Sequence, residues 1–167
     1  MVCLGGKVGG CNIEMHDIRF VVGDTIEQTF NALKQQWCGD KAKVHMDSYC
    51  EIKHIDGFEI SLSEHPEPNQ HTLFFVNLGA YYPDHIMEQH SFELIVAQSP
   101  EQAKQIALSR VPNNLSKPHK DRLMAVDDLL SVDLIDGFYI KLSYSGKRQA
   151  IKPDWFGYHP LQLRLFS

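Results

Sequence analysis

Two hydrophobic periods alternate along the chain. Short apolar runs rich in β-branched and aromatic residues, Leu73-Phe-Phe-Val-Asn-Leu-Gly79, Phe92-Glu-Leu-Ile-Val96 and Ile18-Arg-Phe-Val-Val22, predict strands. The period then lengthens. Ile26, Phe30, Leu33 and Trp37 recur at helical spacing and form one apolar stripe, which predicts a helix covering a sheet, with Phe30 and Trp37 in the core. Thr25-Ile-Glu-Gln28 and Ser99-Pro-Glu-Gln102 have the form of capping boxes at two helix starts, Pro100 takes the favoured first helical position, and Gly39 is placed to stop the first helix. The second helix has a thinner stripe of Ala103, Ala107 and Val111, so closer packing is expected there. Asp56-Gly57 and Asp136-Gly137 predict tight hairpins, each followed by an alternating strand (Phe58, Ile60, Leu62 and Phe138, Ile140, Leu142) that buries one face. Leu161, Leu163 and Leu165 alternate near the end and predict an edge strand.

These elements occur twice. Leu4-Gly5, Glu14-x-His16 and His45-x-Asp47 reappear as Leu78-Gly79, Glu88-x-His90 and His119-x-Asp121, each 74 positions on. Ile55-Asp56-Gly57-Phe58 returns as Ile135-Asp136-Gly137-Phe138, 80 positions on, which places an insertion between Asp121 and Ile135. The spacing exceeds that of a solenoid repeat, so the expected product is an α+β protein of two pseudo-symmetric ββαββ halves with helices packed on antiparallel or mixed sheet. Residues 1–64 form the first repeat, 65–72 a proline-containing linker, 73–144 the second repeat, and 145–167 a basic tail.

At 167 residues with 43% apolar content, the chain has the composition of a globular protein. It contains no run of roughly 18 apolar residues and no basic-then-apolar leader, so a cytoplasmic protein is expected. Cys3, Cys11, Cys38 and Cys50 all lie in the first copy without a C-x-x-C spacing and read as reduced thiols. Residues 1–64 and 65–144 are each net acidic, which argues against extended nucleic-acid binding. The tail residues Lys147, Arg148 and Lys152 read as a strap over acidic neighbours. The pairing of halves makes the chain a pseudo-dimer, a plan compatible with homo-oligomers; no partner is specified.

Candidate chemistry rests on the duplicated motifs. In extended backbone a two-residue step keeps both side chains on one face, so Glu14 with His16, and His45 with Asp47, each present a carboxylate and an imidazole together. If the two motifs converge, Glu14, His16, His45 and Asp47, and in the second copy Glu88, His90, His119 and Asp121, form mixed nitrogen and oxygen sets suited to zinc, manganese or iron. Without metal, the same groups form an acid–base pair in which a carboxylate orients a histidine. The competing reading is a non-catalytic binding or scaffold module in which these residues brace loops. Gly5-Gly6-Lys7-Val8-Gly9-Gly10 lacks the ending of a phosphate-binding loop and reads as a flexible turn. His16-Asp-Ile18 and His90-Ser-Phe92 lack the hydroxyl that two-histidine phosphodiesterases place two positions after each histidine.

The run Leu73 to Gly79, the segments Ile13-Glu14-x-His16-Asp17 and Phe20-Val-Val-Gly23, the Gln36-Trp37 helix end and the Asp-Gly hairpin resemble the bacterial family catalogued as domain of unknown function 1543. Its members carry the domain once or twice. The resemblance covers roughly residues 1–145 and implies a two-copy member; it brings no activity with it.

Overall fold

The computed structural model describes residues 1–82, 84–111 and 124–161, with Met124 and Ala125 described through their backbone. Among these residues the fold is mostly antiparallel sheet with two short α-helices. Two compact units form, Met1–Ile52 together with Ala150–Ser167, and Lys53–Gln149.

In the first unit, β1 (Val2–Gly6) lies between β2 (Met15–Arg19) and β3 (His45–Tyr49), and β11 (Trp155–Pro160) adds to the outer edge of β3. Helix α1 (Phe30–Gln36) covers one face, where Val2, Leu4 and Met46 pack with Leu33, Trp37, Val44 and Leu161. Leu4 and Leu33 are fully buried, and each contributes about 1.5–3 kcal/mol relative to exposure.

The helix is shorter than its apolar stripe suggests. Its start is a single 3-10 turn, Glu27–Thr29, with no side-chain cap, although Gln28 does reach back to the Asp24 N–H at 3.0 Å. Phe30 is half-buried against the core rather than inside it, while Trp37 is 3% exposed. The chain leaves α1 at Trp37, whose backbone is extended. Gly39 serves a different purpose from stopping the helix: a Cβ there would lie 2.3 Å from the Lys7 carbonyl oxygen, so the position needs glycine for close approach.

In the second unit, β6 (Thr72–Ala80) lies between β7 (Gln89–Ala97) and β8 (Met124–Ser131), covered by α2 (Pro100–Arg110). Here the hydroxyl cap forms as expected, with Ser99 accepting from the Gln102 N–H at 3.2 Å, while the Gln102 side chain reaches one residue past the cap and accepts from the Gln98 N–H at 2.7 Å. Ala103 and Ala107 are fully buried against Phe74, Val76, Leu78 and Ile95, the close packing that small residues allow.

A second sheet in this unit joins the hairpin β4 (His54–Ile55) and β5 (Phe58–Ser63) to β10 (Phe138–Tyr144) and β9 (Leu134–Ile135), in the order β4-β5-β10-β9. Asp56 and Gly57 have φ of 53° and 89°, and Asp136 and Gly137 have 50° and 87°, the left-handed pair that a two-residue hairpin requires. Ser61 pairs with Lys141, its own counterpart in the duplication, so a local pseudo-two-fold axis passes between β5 and β10. A lone two-stranded hairpin is marginal in water, and this pairing with β10 is why the compact units divide after Ile52, inside the first repeat. The strands are less buried than their alternation suggests, with Leu62 46% exposed. Asp56 does more than make a turn: its carboxylate accepts from the Val96 N–H at 3.1 Å and pairs with Arg110.

The tail strand β11 ends just before the buried Leu161; Leu163 and Leu165 lie outside the described residues. All four cysteines are free thiols. Among the described residues no helix is long and apolar enough to cross a membrane.

Candidate functional site

Alternation along β1 separates the core from the candidate site. Val2 and Leu4 face α1, so Cys3 and Gly5 face the other way. Gly5 pairs with His16 on β2 and with His45 on β3, and directly paired residues in an antiparallel sheet share a face. His16 and His45 therefore flank a position that has no side chain. His-x-Asp belongs to the strand itself rather than to the loop before it.

Asp47 joins them through an irregularity. Leu4 pairs with Met46 and Cys3 with Ser48, leaving Asp47 as the extra residue of a β-bulge. The same bulge recurs in the second copy, where Leu78 pairs with Val126 and Asn77 with Asp128, leaving Asp127 extra. Gly79 there pairs with His90 and with Ala125. Asp127 is thus the structural counterpart of Asp47, and Ala125 stands where His45 does. His119 and Asp121 lie outside the described residues; the register places the insertion of the second copy ahead of β8, not after Asp121.

In the first copy the four side chains form an alternating chain of carboxylates and imidazoles. His45 Nε2 lies 3.5 Å from Glu14 Oε1 and 3.2 Å from Asp47 Oδ1, and His16 Nε2 lies 3.2 Å from Asp47 Oδ2. The two imidazoles thus meet through one carboxylate. His45 is only 3% exposed, with the Tyr158 ring tilted across it at 4.3 Å between centroids, and its buried Nδ1 has no hydrogen-bond partner among the described residues. His16 is 54% exposed and open to solvent. The Cys3 thiol is pushed up to about 11, first by burial and then by the charges of Asp47 and Asp17.

In the second copy His90 lies between two carboxylates, with Nε2 3.9 Å from Glu88 Oε2 and Nδ1 3.3 Å from Asp127 Oδ2. Glu88, His90 and Asp127 each offer one ligand atom, all within 4.8 Å of one another, the spread a single metal ion spans. The Tyr81 hydroxyl donates to Glu88 Oε2 at 3.1 Å, an interaction that raises the phenol above its ordinary value. Tyr81 and Asp127 are the members that motif reasoning missed. The signal for Asp127 was in the hairpin, because its 80-residue spacing carried back along β8 reaches Asp127 from Asp47.

The repeated glycine explains the persistence of Leu-Gly. A Cβ on Gly5 would lie 2.5 Å from His45 Nε2 and 3.0 Å from Asp47 Oδ2; one on Gly79 would lie 2.2 Å from Asp127 Oδ2 and 2.4 Å from Glu88 Oε1. Each glycine is the floor on which the polar groups converge.

A family model described as Domain of Unknown Function (DUF1543) matches the chain twice, over residues 11–62 and 85–142. Each matched segment contains a Glu-x-His and a bulged aspartate. The chain is also similar to a solved structure, "Crystal structure of a protein Il1583 from Idiomarina loihiensis", at 38% identity over 97% of this chain and 95% of that one, with a TM-score of 0.78. No curated protein matches the chain.

Proposed function

The chain belongs to the DUF1543 family and carries its domain twice, and on that premise we propose that it binds divalent metal ions at two sites built on one plan. Glu88, His90 and Asp127, whose ligand atoms lie within 4.8 Å of one another, form the better-gathered site; Glu14, His45, Asp47 and His16, linked in that order, form the other. The ββαββ repeat, with limits at 1–64 and 73–144, supplies that plan. The reading rests on one observation: twice, a β-bulge turns an aspartate onto a Glu-x-His pair above a glycine whose Cβ would fill the space. Two carboxylates held against one imidazole in the second copy leave negative charge that a cation neutralises. The mixed nitrogen and oxygen donors suit zinc, manganese or ferrous iron.

Elemental analysis of protein purified without a histidine tag tests this. Bound metal, or a divalent ion that raises the melting temperature, is expected, with Asp47→Asn and Asp127→Asn each removing one equivalent. A ligand at 100 times its dissociation constant stabilises by about 2.7 kcal/mol, well within reach of a thermal assay. One observation favours a second reading, a scaffold module: His45 Nε2 already lies between two carboxylates, as in a brace between β2 and β3. That reading wins if no divalent ion binds or stabilises the protein.

A further inference from the structure

We propose that the second-copy site takes a hard trivalent cation, ferric iron, with the Tyr81 phenol oxygen as a fourth protein donor beside Glu88, Asp127 and His90. This deepens the metal-binding reading and rests on it. Two of the differences between the copies change the donors available around the glycine floor. His45 is replaced in register by Ala125, which removes a nitrogen donor. Lys7, which follows β1 directly, corresponds to Tyr81, which follows β6 directly, so a cationic side chain gives way to an oxygen donor.

The structure gives that exchange a geometry. Tyr81 Oη is 3.1 Å from Glu88 Oε2, and Glu88 shares with His90 and Asp127 a group of ligand atoms within 4.8 Å. Gly79 keeps the floor open, because any Cβ there would collide with the Asp127 and Glu88 oxygens. The resulting set is three oxygens and one nitrogen. With the phenol proton displaced to solvent as the iron–oxygen bond forms, it carries three negative charges against the three positive charges of the ion, and no electron is transferred because the iron enters as iron(III). The first copy instead strings two carboxylates and two imidazoles into an alternating chain, whose charge matches a divalent ion but which does not gather three ligand atoms within the 4.8 Å span of Glu88, His90 and Asp127. Tyr81 is 62% exposed, so the ion has a direct approach from solvent.

The experiment adds iron(III) nitrilotriacetate to the full, untagged chain and follows the visible phenolate-to-iron(III) charge-transfer band. The band is expected to saturate at one iron per chain, to vanish in Tyr81→Phe and Asp127→Asn, and to persist in Tyr158→Phe, which alters the other exposed tyrosine near a candidate site. Tyr81→Phe removes an exposed hydroxyl and its hydrogen bond to Glu88, and circular dichroism checks that the variant remains folded. A band that survives Tyr81→Phe, or that depends on Tyr158, overturns the assignment. Calorimetric titration with manganese(II) or zinc(II) on the same preparation separates the two readings. Divalent binding without a ferric band refutes the ferric site alone, and absence of both refutes it together with the metal-binding function.

Discussion

Adding one methyl group at each of the two equivalent glycines should have opposite consequences. At Gly5 the new Cβ meets His45 Nε2 at 2.5 Å and His45 Cε1 at 3.0 Å, and His45 is 3% exposed beneath Tyr158, with little room to retreat. Overpacking of this kind costs about 1–3 kcal/mol. Replacing glycine by alanine where φ is ordinary returns about 0.4–1 kcal/mol through the unfolded chain. Gly5→Ala should therefore destabilise by about 1–2 kcal/mol, which at a urea slope of about 2 kcal/mol/M lowers the midpoint by about 0.5–1 M. At Gly79 the clashing atoms are the ends of Asp127 and Glu88, two side chains that reach solvent and can swing away. Gly79→Ala should leave stability within about 0.5 kcal/mol of the parent while abolishing metal uptake by the second site. The assay separates the units, because Trp37 and Trp155 are the chain's two tryptophans and both lie in the first unit, so tryptophan fluorescence reports that unit. An unchanged or raised fluorescence midpoint in Gly5→Ala would refute the packing of a buried His45 on the glycine floor.

Trp37→Ala should cost about 3–5 kcal/mol in urea denaturation, and Phe30→Ala clearly less, because Phe30 is only half-buried. Ser99→Ala should lose about 1 kcal/mol through its missing helix cap, whereas Thr25→Ala, at a helix start without a side-chain cap, should lose less by the same measurement. A double-mutant cycle of Asp56→Ala and Arg110→Ala should show a coupling of about 1 kcal/mol; a value near zero would mean the hairpin turn is not tied to α2. With iodoacetamide near pH 8, the exposed Cys11 and Cys38 should alkylate quickly and the buried Cys50 slowly, and the Cys3 rate should keep rising towards pH of about 11. Because the unfolded chain releases the Cys3 proton at about 9, earlier than the folded one, this thiol should also make stability fall as pH rises between those values, read as a declining urea midpoint.

Local chemistry made part of this legible from sequence. Asp-Gly turns declare themselves because few other pairs tolerate positive φ at both centres, and Ser99-Pro100 marks a helix start by its own hydrogen bonds. The duplication was visible because Glu-x-His survived in both copies. What failed were inferences in which a local motif competed with register. His119-x-Asp121 spells the same letters as His45-x-Asp47, yet the strand partners of Leu78 and Asn77 make Asp127 the equivalent residue. A bulge has no sequence signature, and only pairing with a neighbouring strand exposes it. The stripe from Ile26 to Trp37 likewise promised a longer helix, but Gln28 bonds back to Asp24 and the first turn tightens into 3-10 geometry.

The pattern of what the two copies kept bears on the choice between a brace and a binding site. A brace is held by its buried members, since an unpaired buried polar group is costly while an exposed one can change freely. The cradle shows the reverse. The buried imidazole, His45, has no counterpart at Ala125, whereas the members that reach solvent are retained: Glu14 and Glu88, His16 and His90, Asp47 and Asp127, with exposures of 42% and 26%, 54% and 43%, and 30% and 31%. Retention of accessible carboxylates and imidazoles over a preserved glycine floor is what contact with something arriving from solution requires. If Glu88→Gln and His90→Gln, which keep size and hydrogen bonding, left every metal-dependent shift of the melting temperature intact, that argument would fail and the retained groups would have to be explained by the sheet alone.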